Sequence, residues 1–282
     1  TDMEELETIA HELGIASVKM AIAKHQNMDT VSFKQRYAIL QAPAIDSWSL
    51  GKLRAGYGVA MAALTTLTYL GIMPKNATIA VQGFGNLAKS TIMALTKAGV
   101  SIAAIADAKK CYIAKPGAQL PVDFMLQQDG TLLPELDPKN NDVTVAEKEA
   151  IYPFACDILV LAAVENVISG KNADQIQAKA IVPGANLAIT QCGESALHQR
   201  GIIALPSFMA GCGGSLSMNG LFAPKTIPTP TEVLAYIEQS MSEMTLHVLA
   251  TCQEKEITPT EAALEICRSA TMPSRKKPYG FC

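Results

Sequence analysis

The strongest constraint on the fold lies in residues 77–106. The run ATIAVQ (77–82) is short, apolar and free of breakers. It is followed at once by Gly83-Phe84-Gly85-Asn86-Leu87-Ala88, then by helical spacing through NLAKSTIMALTKA (86–98) up to Gly99, then by a second apolar run, VSIAAIA (100–106). Short continuous apolar runs of this kind suit strands buried on both faces, and such strands belong to parallel sheets. The stretch therefore predicts a β-α-β unit whose strand-to-helix turn is a G-x-G-x-x-A pattern in the context that such a pattern requires.

Each residue of that turn has a physical reason. Gly83 permits a tight turn, Gly85 lets a pyrophosphate approach the backbone, and the small Ala88 lets helix and strand pack closely. The exposed amides and positive dipole of the helix start then favour phosphate, which makes Gly83, Phe84, Gly85, Asn86 and Leu87 candidate dinucleotide-binding residues. Asp107 ends the second strand, where an acid accepts hydrogen bonds from the adenosine ribose and favours NAD. A turn-capping role is its other reading. Lys109 and Lys110 follow it and suit a 2′-phosphate, so NAD and NADP both stay open as cofactor.

The same strand signal recurs at DILVL (157–161), AIV (180–182) and IIAL (202–205), each separated by a stretch able to hold a helix. This alternation predicts an α/β fold: a doubly wound, Rossmann-like parallel sheet with helical segments at its N- and C-terminal sides. The expected organisation is a short helical region over 1–50, a dinucleotide-binding domain over 51–228 and C-terminal helices over 229–282. Apolar residues at helical spacing (Leu6, Ile9, Leu13, Val18, Ala21, Ile22) support helices near the start. Residues 41–48 (QAPAIDSW) are turn-like, with Asp46-Ser47 placed to cap the helix that follows. Residues 57–70 form a strong helix stopped by Gly71. Residues 111–154, broken by Pro116, Pro121, Pro134 and Pro138, are expected as an irregular excursion. Helices are expected again from Pro230 to about Thr251 and after Thr258-Pro259-Thr260-Glu261.

Composition narrows the class. With 49% hydrophobic and 17% charged residues, the 282-residue chain has the makeup of a globular protein. Its net charge of -3 argues against a nucleic-acid partner, because phosphate binding needs clustered cations. The run Arg275-Lys276-Lys277 reads as a solvated tail. The seven cysteines are scattered with no C-x-x-C pair, so neither a disulfide framework nor a metal site is expected. The acidic start TDMEELETIA and the lack of an apolar run of 18 residues lead us to expect a cytoplasmic protein without a membrane partner.

Four blocks in order carry a resemblance: residues 55–95 (AGYGVAMAALTTLTYLGI through GFGNLAKSTIMAL), 156–168 (CDILVLAAVENVI), 181–186 (IVPGAN) and 206–217 (PSFMAGCGGSLS). Together they resemble the nucleotide domain of the glutamate/leucine/phenylalanine/valine dehydrogenase family, from about Leu50 to Leu221. The resemblance implies that Ala162, Ala163 and Asn166 lie near the nicotinamide ribose and Asn186 beside the nicotinamide. The rule that ligands bind at the carboxyl ends of parallel strands points to the same residues.

It also implies a reduced, divergent N-terminal substrate region, since residues 1–50 hold no Gly-Gly-x-Lys-Gly pattern such as carries the family's lysine. Pro43-Ala44-Ile45-Asp46 is similar to the Pro-Ala-Pro-Asp block bearing the family's aspartate, which makes Asp46 a candidate catalytic residue beside its reading as a turn acid. Lys52 and Arg54 are candidates by position for carboxylate binding or proton transfer, and otherwise surface charges. Gly211 replaces an Asn and Met218 a substrate-binding Ser. The expectation is an NAD(P)-dependent oxidoreductase, a homo-oligomer acting on a small amine, imine or carbonyl, with a non-catalytic nucleotide-binding subunit or sensor as the alternative.

Overall fold

A computed structural model describes residues 29–137 and 141–269; the helices expected before residue 29 and the basic run after 269 lie outside them. Helix α1 (Thr30–Ala38) is capped by Asp29, whose carboxylate accepts from the Ser32 amide at 2.8 Å. A small antiparallel hairpin follows, β1 (Pro43–Ile45) and β2 (Trp48–Ser49), turning through Asp46 at φ 49°. The turn-like expectation for this segment thus resolves into a hairpin. The cap of the next helix is Ser49 rather than Asp46 or Ser47.

Helix α2 (Leu50–Tyr69) starts seven residues before the apolar pattern suggests and leads into β3 (Thr78–Gln82), α3 (Asn86–Lys97) and β4 (Ser101–Ala106). Two strands of residues 111–154 belong to the sheet after all: β5 (Lys110–Ala114) and β6 (Val143–Glu147), with the short α4 (Val122–Leu126) between them. Then come β7 (Ile158–Leu161), β8 (Ala180–Pro183), α5 (Gln191–Gln199), β9 (Ile203–Ala204), α6 (Ser207–Ala210), α7 (Gly213–Phe222), α8 (Pro230–Lys255) and α9 (Pro259–Ser269).

The sheet order is β6-β5-β4-β3-β7-β8-β9, parallel from β4 to β9, with β5 and β6 added antiparallel at one edge. The chain leaves β3 for β4 on one side and returns to β7 on the other. That reversal opens a crevice at the carboxyl ends of β3 and β7, where doubly wound sheets take ligands.

The period-2 alternation sorts the strand residues onto two cores. Ile79, Val81, Ile105, Val160 and Val182 face α2 and α3, while Ala80, Ala104, Leu159, Leu161 and Ile181 face Ile168, Ile176 and Leu197. Burying each aliphatic chain contributes about 1.5–3 kcal/mol. Val233, Ile237, Met241 and Leu249 of α8 are buried in the first of these cores, where that helix packs against α2 and α7. Helices α2 and α3 meet at Gly56, where a Cβ would stand 2.6 Å from Leu87 O and from Thr91 N, and the Thr91 hydroxyl donates to Gly56 O at 3.2 Å. This contact fixes the start of α3 against α2. No helix among the described residues is long and apolar enough to cross a membrane.

Candidate functional site

The crevice is built from backbone first. Beyond the end of β3, the Gly83 amide donates to Ala106 O and the Ala162 amide to Gln82 O, both at 2.7 Å, so the sheet ladder continues into the turn. Gly83 adopts φ 118°, and a Cβ there would stand 2.8 Å from Ala162 O. No residue with a side chain fits without moving the end of β7.

Gly85 differs. Its φ is -79°, and the only atom within 4 Å of an added Cβ is Thr131 Cγ2, at 4.0 Å. The protein itself makes no demand for glycine at that position. Gly85 is also the N-cap of α3 without any side-chain cap bond, so the amides of Asn86, Leu87 and Ala88 are left for an acceptor from outside. A pyrophosphate fits this cradle. Phe84 is buried and serves as a floor, with the Lys89 ammonium 4.7 Å from its ring centroid.

A loop walls the crevice on the β4 side. Lys89 is buried in the first turns of α3, and its ammonium donates to Gln128 O at 2.6 Å and Gly130 O at 2.8 Å. Burial pulls its pKa below the usual lysine value, opposed by Asp129. The other end of the loop is held by Asp107, whose Oδ2 accepts from the Leu133 amide at 2.6 Å. Asp107 Oδ1 accepts from the Lys109 amide at 2.6 Å and the Lys110 amide at 2.8 Å. The turn-capping reading of Asp107 is therefore realised in full, and its carboxylate has little capacity left for a ribose.

On the other side, Ala162 and Ala163 follow the end of β7, and Asn166 comes next in the left-handed region at φ 54°. The Asn166 amide donates to Leu187 O at 2.8 Å and the Val167 amide to Ala188 O at 2.9 Å, which stitches the loop after β7 to the loop after β8. Ala163, Asn166 and Asn186 are exposed at this edge. Leu187 also lies at positive φ, 51°, and stays 64% exposed. A branched residue in that region costs on the order of 1 kcal/mol or more, and such strain gathers at functional edges. Its amide is fixed by the Ser207 hydroxyl at 3.2 Å.

The candidates of the N-terminal region divide. Lys52 is exposed and lines a cavity of about 300 Å³ with Trp48, Asn86, Lys89 and Gly130, so it does come near the start of α3. Asp46 does not. The hairpin turn points its carboxylate at Lys97, in an exposed ion pair of 2.7 Å at the last residue of α3. A helix of 12 residues spans about 18 Å, which puts that contact at the far end from the glycine turn. Arg54 is committed to packing: its guanidinium donates to Gly214 O at 3.1 Å and Ser217 Oγ at 3.0 Å, clamping α2 to α7.

Sequence reasoning missed Lys89 and the loop of residues 128–133. The Asp129-Gly130 pair is a turn signal, and a lysine among the apolar residues of α3 is a hint of a buried cation. Neither says that the two touch.

Residues 50–272 match the family model for Glutamate/Leucine/Phenylalanine/Valine dehydrogenase. A glutamate dehydrogenase of Thermotoga maritima is 33% identical over 194 residues, 66% of this chain and 45% of that protein. One from Aeropyrum pernix is 32% identical over 213 residues, 74% of this chain and 50% of that protein. The chain thus spans about half the length of the curated relatives it matches. Among solved structures, the hetero-hexameric glutamate dehydrogenase of Thermus thermophilus in its leucine-bound form is similar in fold, with a TM-score of 0.63 and 22% identity over 79% of this chain and 54% of that one.

Proposed function

The chain belongs to the Glutamate/Leucine/Phenylalanine/Valine dehydrogenase family, and from that premise we propose that it is an oxidoreductase that holds a nicotinamide dinucleotide across the carboxyl ends of β3, β7 and β8. It transfers hydride between that cofactor and a small amine, imine or carbonyl. One observation carries the reading: Gly83 is required by the fold and Gly85 is not, so the second glycine answers to a ligand.

In this reading the nicotinamide supplies the redox chemistry, and the chain supplies position and field. The amides at the start of α3 hold the pyrophosphate, with Lys89 keeping the 128–130 loop closed beside it. Asn166, whose amide donates to the carbonyl of Leu187, and the neighbouring Asn186 orient the nicotinamide end. Lys52 faces the same opening and takes the anionic group of the substrate. Asp46, paired with Lys97, has no part in the chemistry. The protein assembles as a homo-oligomer.

The test is purified protein with NADH or NADPH and a panel of 2-oxo acids plus ammonia, cyclic imines and simple carbonyls. Turnover of at least one class is expected. Tight cofactor binding with no turnover of any class contradicts the catalytic reading.

A further inference from the structure

The cation at the end of β4 is better placed to read the cofactor than the acid beside it. Asp107 is 8% exposed and already accepts from three backbone amides, those of Lys109, Lys110 and Leu133. A carboxylate offers about four acceptor sites, so at most one remains, whereas gripping both ribose hydroxyls takes two. The donors belong to two loops and cannot withdraw without opening them.

Lys110 is committed as well. Its ammonium reaches Glu135 at 2.6 Å and lies 4.8 Å from the centroid of the Tyr112 ring. Lys109 is different. It is exposed, and among the described residues no carboxylate lies within ion-pair distance of its ammonium. Its own amide is locked onto Asp107, so the root of the side chain is fixed at the strand end where doubly wound folds place the adenosine ribose.

We propose that this chain takes NADP(H) in preference to NAD(H), with Asp107 shaping the β4–β5 turn and the Lys109 ammonium meeting the 2′-phosphate. The inference rests on the dinucleotide reading above. It follows from chemistry: a 2′-phosphate carries nearly two negative charges and three strong acceptors for an ammonium, while an unmodified ribose finds at most one acceptor site left on Asp107.

The experiment titrates the full chain with NADPH and with NADH, following nucleotide fluorescence, and repeats both for Lys109→Met and Lys109→Arg. Lys109 is exposed, so these variants keep the fold. The expected result is NADPH binding at least about tenfold tighter than NADH. Lys109→Met then loses most of that advantage while NADH affinity stays within about twofold, and Lys109→Arg retains the advantage. Equal or tighter NADH binding, or a preference that Lys109→Met leaves unchanged, overturns the inference and leaves the dinucleotide site standing. Binding of neither nucleotide by the parent chain overturns the dinucleotide site and the inference with it.

Discussion

Gly83→Ala and Gly85→Ala should fail in opposite ways. At Gly83 the new methyl faces Ala162 O at 2.8 Å, and the backbone sits at φ 118°, where side chains rarely go. Backbone strain of this kind costs about 1–3 kcal/mol. The displaced end of β7 adds to it, for a total of roughly 3 kcal/mol. For a chain of this size that lowers Tm by roughly 6–12 °C. At Gly85 the backbone is extended, at φ -79° and ψ -174°, and the nearest atom to the methyl is 4.0 Å away. Stability should change by less than about 1 kcal/mol, the usual range for an N-cap change. The methyl instead occupies the space a pyrophosphate needs, and nucleotide affinity should fall at least about tenfold. Denaturant unfolding and nucleotide titration on both variants decide the matter. The reasoning is refuted if Gly85→Ala unfolds as easily as Gly83→Ala, or if it binds nucleotide like the parent.

Arg36→Met should destabilise the chain by roughly 3 kcal/mol, measured by denaturant unfolding, because the buried guanidinium donates to Leu221 O in the last turn of α7 at 2.7 Å and to Lys225 O just after it at 3.1 Å. Iodoacetamide at neutral pH should alkylate Cys192 ahead of Cys111 and Cys156 by mass spectrometry. The exposed Cys192 thiol is held below its usual pKa by the Thr190 hydroxyl, whereas burial pushes Cys111 and Cys156 up to about 12. Burial raises the Glu194 carboxyl above its usual range, so the fold favours the protonated form. Its contribution is fully present below the ordinary glutamate value and is lost as pH rises through the raised one. Glu194→Gln should flatten that part of the stability curve, read as Tm against pH.

What the sequence made legible follows the range of the signal. Strands β3, β4, β7 and β8, with the glycine turn, declare themselves in local period and composition. Strand β6 does not, since it is a mostly exposed edge of five residues, set among prolines that read as breaks. Asp107 shows the other limit. Both of its readings were visible, but the choice depended on the Leu133 amide, 26 residues away. The bonds from Lys89 to Gln128 and Gly130 span 39 and 41 residues, and no local pattern encodes them. Asp46 carries a catalytic and a turn-acid reading in the sequence, and the two-residue turn between Ile45 and Trp48 and the Lys97 ion pair decide where its carboxylate points.

The central claim is that a dinucleotide lies on the glycine turn and reaches the loops after β7 and β8. Backbone hydrogen–deuterium exchange with and without saturating NADPH tests it most directly. The account predicts new protection at the amides of residues 85–88, 163–166 and 185–187, with the strands unchanged. Protection confined to other surfaces, or absent from residues 85–88 when nucleotide is bound, contradicts it.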